Sequence, residues 1–209
     1  MHFEDSVLVI DRELSEFDRR AFAFFDLLDE VGIDYLVVSG YLLLLTGRQR
    51  MTEDVDLILS LQTSDRLDEL VTRLGEEGYV ANPPPLDRLP EFIEEGHVGV
   101  HAKGARVPTF DLSLGDTQIE RDAFADSLSV EVSGQTLHVT PFEQQIAYKL
   151  SMLHDPSDHT AMDFLDALHL YRLFEDQLDM DSLRNYVHRL NAAEALDELR
   201  TTSGEAGEQ

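Results

Sequence analysis

The chain has 209 residues, with 42 acidic side chains against 16 basic ones, a net charge of −26 and no cysteine. That balance argues against general DNA or RNA binding through a basic surface, and the missing cysteine removes disulfides, thiolate metal sites and cysteine nucleophiles together. No run approaches the apolar length needed to span a bilayer, and the opening MHFEDSVLVIDRELSEF carries acid where a secretory signal needs base, so the expectation is a soluble, cytoplasmic protein.

In chain order, Leu14, Phe17, Ala21, Phe24, Phe25 and Leu28 recur at helical spacing, with Asp11 placed to cap the start and Gly32 to end the helix. IDYLVVS (33–39) is rich in strand-forming residues, and GYLLLLTG (40–47) reads as a short buried helix between two glycines. DVDLILS (54–60) is a second strand, followed by a capped amphipathic helix from about Ser64 through Glu77. Alternation of helix and strand over this region predicts an α/β core. The proline-rich stretch 81–96 reads as a surface loop. Beyond it, HVGVHA (97–102) and VPTFDLSL (107–114) form one expected hairpin, and 128–140 a second with a glycine turn. From Pro141 the period is helical over about 141–154, 158–175 and 181–199, and TTSGEAGEQ (201–209) reads as a disordered tail.

The stretch RMTEDVDLIL (50–59) opens an apolar strand with acid. Side chains alternate faces along a strand, so Asp54 and Asp56 share one face while Val55 points into the other. Two carboxylates about 7 Å apart on one strand face repel each other unless a cation lies between them. A hard divalent ion such as Mg²⁺ takes oxygen ligands of this kind, with waters and substrate phosphates completing its shell. Asp111, in TFDLSL, is a third acid flanked by apolar residues in an expected strand, and would join the pair if its strand lay beside 54–60. Upstream, VVSG ends a strand and Gly40 opens a helix, a junction whose backbone N–H groups suit an approaching phosphate.

Together these residues resemble the signature of the nucleotidyltransferase superfamily of the DNA polymerase β type. SGYLLLLTGRQRMTEDVDLIL, a later FDL, and FEQQIAYKLSML with MDFLDALHLY are most similar to the small branch that includes AbiEii-type toxin nucleotidyltransferases. The resemblance implies an α+β nucleotidyltransferase fold, a mixed sheet flanked by helices with a C-terminal helical portion. It implies a core over 1–140, a helical bundle over 141–200 packed on it, and a tail over 201–209. It also implies an enzyme that moves a nucleoside monophosphate from a nucleoside triphosphate to an acceptor hydroxyl on tRNA, protein or a small molecule, using Mg²⁺ or Mn²⁺. Asp54, Asp56 and Asp111 would be catalytic metal ligands, and Ser39, Gly40, Arg50, Thr52 and Lys149 would hold the nucleotide. An antitoxin is the implied partner if the protein is the toxin half of a toxin–antitoxin pair. The evenly spread acid, with only Lys103 and Lys149 as lysines, resembles proteins of salt-loving archaea, where concentrated salt screens self-repulsion.

The sequence departs from that signature in carrying Ser-Gly where the superfamily has Gly-Gly or Gly-Ser, which keeps open a non-catalytic nucleotide- or partner-binding module. Asp-x-Asp alone is weak in a chain where one residue in five is acidic, and LDMD at 178–181 supplies a second instance. Asp163 and Asp166 match a later D-x-x-D helix of the branch and are expected to anchor Lys149. The histidines, including His97, His101, His154 and His159, read as surface residues, and Phe17, Phe24 and Phe25 as helix core.

Overall fold

The computed structural model of the protein describes residues 1–49, 51–105 and 107–205. The chain divides into two compact units, residues 1–45 with 49–140, and residues 46–48 with 141–209.

In the first unit the strands are β1 (His2–Glu4), β2 (Val7–Ile10), β3 (Tyr35–Val38), β4 (Asp54–Ser60), β5 (Tyr79–Asn82), β6 (His97–Ala102), β7 (Thr109–Gly115), β8 (Leu128–Val132) and β9 (Gln135–Val139). Among the described residues they form one mixed sheet in the order β1-β2-β8-β9-β3-β4-β7-β6-β5. β4 is central, antiparallel to β3 and parallel to β7. Its apolar side chains Val55, Leu57 and Leu59 are at most 1% exposed. The helices of this unit are α1 (Glu16–Val31), α2 (Ser39–Leu45), α3 (Leu67–Glu76), α4 (Leu89–Glu94) and α5 (Gln118–Ala125).

Helix α1 covers the face of the sheet opposite to Asp54 and Asp56. Phe24 stacks on Phe110 of β7 at 3.8 Å, and Phe25 stacks on Tyr35 of β3 at 5.2 Å. Phe24 and Phe25 are core, as expected, while Phe17 is half-buried against Tyr41 of α2. The cap of α1 is Ser15 rather than Asp11: Asp18 N–H donates to the Ser15 hydroxyl, and Ser15 N–H donates to the Asp18 carboxylate. Asp18 is the better partner because it also receives both Nη groups of Arg12, at 2.6 and 2.8 Å, and the Tyr41 hydroxyl at 2.8 Å. Burial alone would raise the Asp18 carboxyl, but the bonds from Arg12, Ser15 and Tyr41 outweigh it and hold the group well below the usual carboxylate range. Gly32 ends α1 in the left-handed conformation expected of it.

Several local expectations differ from the structure. The segment 81–96 holds the end of β5, a 3-10 turn at Leu86–Arg88 and α4; Pro90 falls in the first turn of α4, where its missing N–H costs nothing. The helix expected from Ser64 begins with a 3-10 turn, Leu61–Arg66, and Arg66 caps no side of it, donating instead to the Val31 carbonyl at the end of α1. The β1–β2 hairpin and α5 are additional elements. Both later hairpins form: β6 pairs with β7, and β8 with β9 around Ser133 and Gly134.

The second unit contains α6 (Phe142–Ser151), α7 (Met162–Leu173), α8 (Met180–Arg189) and α9 (Ala193–Glu205), packed around Ile146, Leu150, Phe164, Leu170, Leu183 and Leu199. Phe142 stacks on Phe174 at 3.9 Å. Helix α9 runs through Glu205, so 201–205 is helical rather than tail. The Thr201 and Thr202 hydroxyls donate to carbonyls one turn back, and Thr202 O accepts from Arg172. The remainder of the expected tail, 206–209, lies outside the described residues. No described helix is long and apolar enough to cross a membrane.

Candidate functional site

The approach to β4 is pinned on both sides. The Thr52 hydroxyl donates to the Asp54 carbonyl at 2.9 Å, and Thr109 N–H donates to the Glu53 carbonyl at 3.0 Å. The buried Val55, Leu57 and Leu59 then fix the rotation of the strand, which leaves Asp54 exposed and Asp56 half-buried on the opposite face. β7 runs parallel to β4 in a register that sets Asp111 beside Asp56 and Thr109 beside Asp54. The three acids named from the sequence therefore occupy one face of two adjacent strands.

Their charges act on one another. Burial pushes the Asp111 carboxyl up, and the negative charges of Asp54 and Asp56 push it the same way, against a smaller opposing pull from His97. His97 sits on β6 opposite Ser113, two residues from Gly99, which lies opposite Asp111. Gly99 leaves room for the carboxylate: a Cβ there would meet Asp111 Oδ1 at 3.1 Å and Thr109 Cγ2 at 3.2 Å. At the far end of the same face, a Cβ on Gly115 would meet Phe124 of α5 at 3.0 Å and Ile58 at 3.1 Å, so α5 closes that side of the sheet.

On the other edge of β4, Val38 of β3 is the register partner of Asp56, and the chain turns directly from it into α2. Ser39 makes this turn at φ 57°, in the left-handed region that glycine adopts without penalty, and Gly40 is buried behind it. The residue of the pair that needs left-handed backbone is thus the serine.

The donor set of Asp54, Asp56 and Asp111 consists of carboxylate oxygens, the chemistry that a hard divalent cation selects. A cation among them would also relieve the repulsion that raises Asp111. The side chains do not already converge: among the described residues no group of three or more His, Cys, Asp or Glu is arranged to hold a metal ion. The residues fit the ion in the kind of donor they offer, oxygen from carboxylates on one face of two adjacent strands.

Arg50 lies outside the described residues. Lys149 lies in the helical unit, on α6, with its side chain 8% exposed. Its ammonium donates to Asp163 Oδ1 at 2.8 Å and lies 3.6 Å from Asp166 Oδ2, while Arg48 Nε donates to Asp166 Oδ1 at 3.1 Å. Asp166 is fully buried and lies between the two cations. Glu143, in the first turn of the same helix, accepts the Asp179 N–H at 2.8 Å.

Gly99 and Arg48 were not singled out from the sequence, and His97 is exposed as expected but also acts on the Asp111 carboxyl. A signal existed for Gly99, since a lone glycine inside the alternating HVGVHA marks a close approach to a strand. For His97 and Arg48 the contacts come from residues far along the chain, and nothing local announces them.

No protein-family model and no curated protein matches the chain. Among solved structures it is similar to the crystal structure of an antigenic nucleotidyltransferase-like protein from Paracoccidioides brasiliensis, with a TM-score of 0.55 and 16% identity over 88% of this chain and 92% of that one. The chain has a nucleotidyltransferase-like α+β fold, a mixed sheet flanked by helices.

Proposed function

We propose that the protein is a nucleotidyltransferase that moves a nucleoside monophosphate from a nucleoside triphosphate to an acceptor hydroxyl. The observation that carries the reading is the register of β4 and β7, which gathers Asp54, Asp56 and Asp111 on one sheet face next to the β3–α2 turn. The nucleotidyltransferase-like fold supports it. Asp54, Asp56 and Asp111 would hold Mg²⁺ or Mn²⁺, which when bound neutralises the triphosphate and promotes attack on the α-phosphorus with pyrophosphate leaving. Asp111, whose carboxyl is raised by its burial and by the negative charges of Asp54 and Asp56, would take the proton of the acceptor hydroxyl. Ser39 and Gly40 shape the turn against which the phosphates lie, and Thr52 holds the start of β4 in place.

The test is incubation with each labelled triphosphate and Mg²⁺ or Mn²⁺, at low and high potassium chloride, against total tRNA and the protein itself. Transfer of label with pyrophosphate release is expected. Absence of both under every combination contradicts the reading.

A second reading, a nucleotide-binding module without turnover, is favoured by the carboxylates not converging and by serine at the left-handed position. Saturable triphosphate binding that requires the divalent ion, with no pyrophosphate released, selects it over the first.

A further inference from the structure

The helical unit carries an open pocket of about 400 Å³, lined by Arg48, Leu165, Leu168, His169, Arg172 and Leu173. Its volume falls within the range of small-molecule sites, roughly 300–1,000 Å³. Its lining is unusual for this chain: in a sequence with 42 acidic residues and 16 basic ones, none of the six is acidic and two are arginine.

The polar residues are held in place from behind. Arg48 Nε donates to Asp166, Arg172 Nη2 donates to the Thr202 carbonyl at 2.9 Å, and His169 Nε2 bonds the Thr46 carbonyl at 3.1 Å. Among the described residues one N–H of each guanidinium is used in this way, and an arginine fork carries five. The charge of Asp166 behind Arg48 is shared with Lys149, so it does not cancel Arg48 alone. The remaining wall is apolar: Leu168 is 7% exposed, and Leu165 and Leu173 stand partly open at 36% and 38%, on a helix face where water-facing polar side chains would be expected. Two fixed arginine forks beside three leucines match a ligand with one oxyanion head and a hydrocarbon body.

We propose that this pocket binds a small organic anion, a carboxylate or phosphate monoester carried on an apolar chain or ring. The site is built from the helical unit alone and is independent of the aspartates on β4 and β7. Its recognition combines a bidentate clamp on the head with burial of the body against Leu165, Leu168 and Leu173, and neither part suffices by itself.

The test is titration of the full chain with octanoate and with octyl phosphate, followed by leucine methyl resonances and calorimetry at matched ionic strength. Acetate, inorganic phosphate and octan-1-ol serve as head-only and body-only probes. One-site saturation by octanoate or octyl phosphate is expected, with shifts at Leu165, Leu168 and Leu173; the tighter of the two identifies the head. The isolated heads and the alcohol should bind at least tenfold more weakly. Arg172→Gln, on the exposed side of α7, should weaken the better probe about tenfold, the loss of one charge-assisted contact, without altering triphosphate turnover. Equal binding of octan-1-ol, unchanged affinity in Arg172→Gln, or no saturable shift at the three leucines overturns the proposal.

Discussion

Asp56 and Asp111 are register partners on the parallel β4–β7 pair, and the Asp111 carboxyl is raised first by its burial and then by the negative charges of Asp54 and Asp56. A raised carboxyl binds its proton more tightly in the folded than in the unfolded chain. Its contribution to stability is therefore present at low pH and lost as pH rises through the folded value. Asp111→Asn should accordingly be more stable than the parent near neutral pH, by about 0.5 kcal/mol on the scale of a cross-strand pair. The difference should shrink as pH falls and the parent's own carboxyl protonates. Denaturant midpoints of both proteins across this range check the prediction; a gap that widens toward acid contradicts it.

Gly99 should be needed for the site rather than for the fold. A methyl group there presses on Asp111 Oδ1 and Thr109 Cγ2 but meets the backbone, at Asn82 O, only at an ordinary 3.6 Å. Gly99→Ala should change stability by less than about 1 kcal/mol, as a strand glycine replaced by alanine does when only side chains must shift. Nucleotide transfer should fall about tenfold, the loss expected of a modest displacement of a reacting group. Thermal unfolding and turnover measured on one preparation separate the two effects.

Asp18 predicts the opposite pH behaviour to Asp111. Its carboxyl is held low by Arg12, Ser15 and Tyr41 against the cost of burial. A depressed carboxyl contributes stability above its unfolded value, near pH 4, and loses it as pH falls through the folded value. Asp18→Asn should cost about 3 kcal/mol at neutral pH, because it breaks a buried ion pair and the capping box together. The cost should fade below about pH 4. Unfolding of parent and variant at matched ionic strength reads this directly.

Lys149 is retained where lysine is nearly absent, and it is fixed between Asp163 and Asp166. Lys149→Met should destabilise the protein by about 3 kcal/mol, since it removes the ammonium that lies against Asp163 and the buried Asp166. Lys149→Arg should recover part of that stability. If Lys149 also contacts nucleotide, the arginine variant will raise KM for the triphosphate even at temperatures where it is fully folded; an unchanged KM leaves it a positioning residue for α6 and α7.

What the sequence revealed follows from the range of each interaction. Asp54 and Asp56 were legible because alternation assigns strand faces over two residues, and Val55, Leu57 and Leu59 mark the buried one. Gly32 and the Ser133–Gly134 turn were legible for the same local reason. The place of Asp111 beside Asp56 depended on a parallel pairing across more than fifty residues, which patterning suggests but does not fix. Helix α4 was hidden by prolines that sit where a helix tolerates them, and α5 by its brevity, although Thr117 and Glu120 form the capping box that announces it. The Arg48–Asp166–Lys149 network joins residues from 48 to 166, and only folding brings them together.

Glu53 precedes Asp54 and by alternation points to the other side of the chain, so the proposed chemistry on the Asp54–Asp56 face of β4 does not need it. The most direct measurement is release of pyrophosphate from labelled triphosphate by the parent, Glu53→Gln, Asp54→Asn and Asp56→Asn, each first shown to be folded. Glu53→Gln should keep the parent rate within about twofold, and either aspartate variant should lose at least about a hundredfold, the scale of removing a metal-holding or charge-stabilising group. Transfer that survives in Asp54→Asn or Asp56→Asn at the rate of Glu53→Gln contradicts the proposed chemistry.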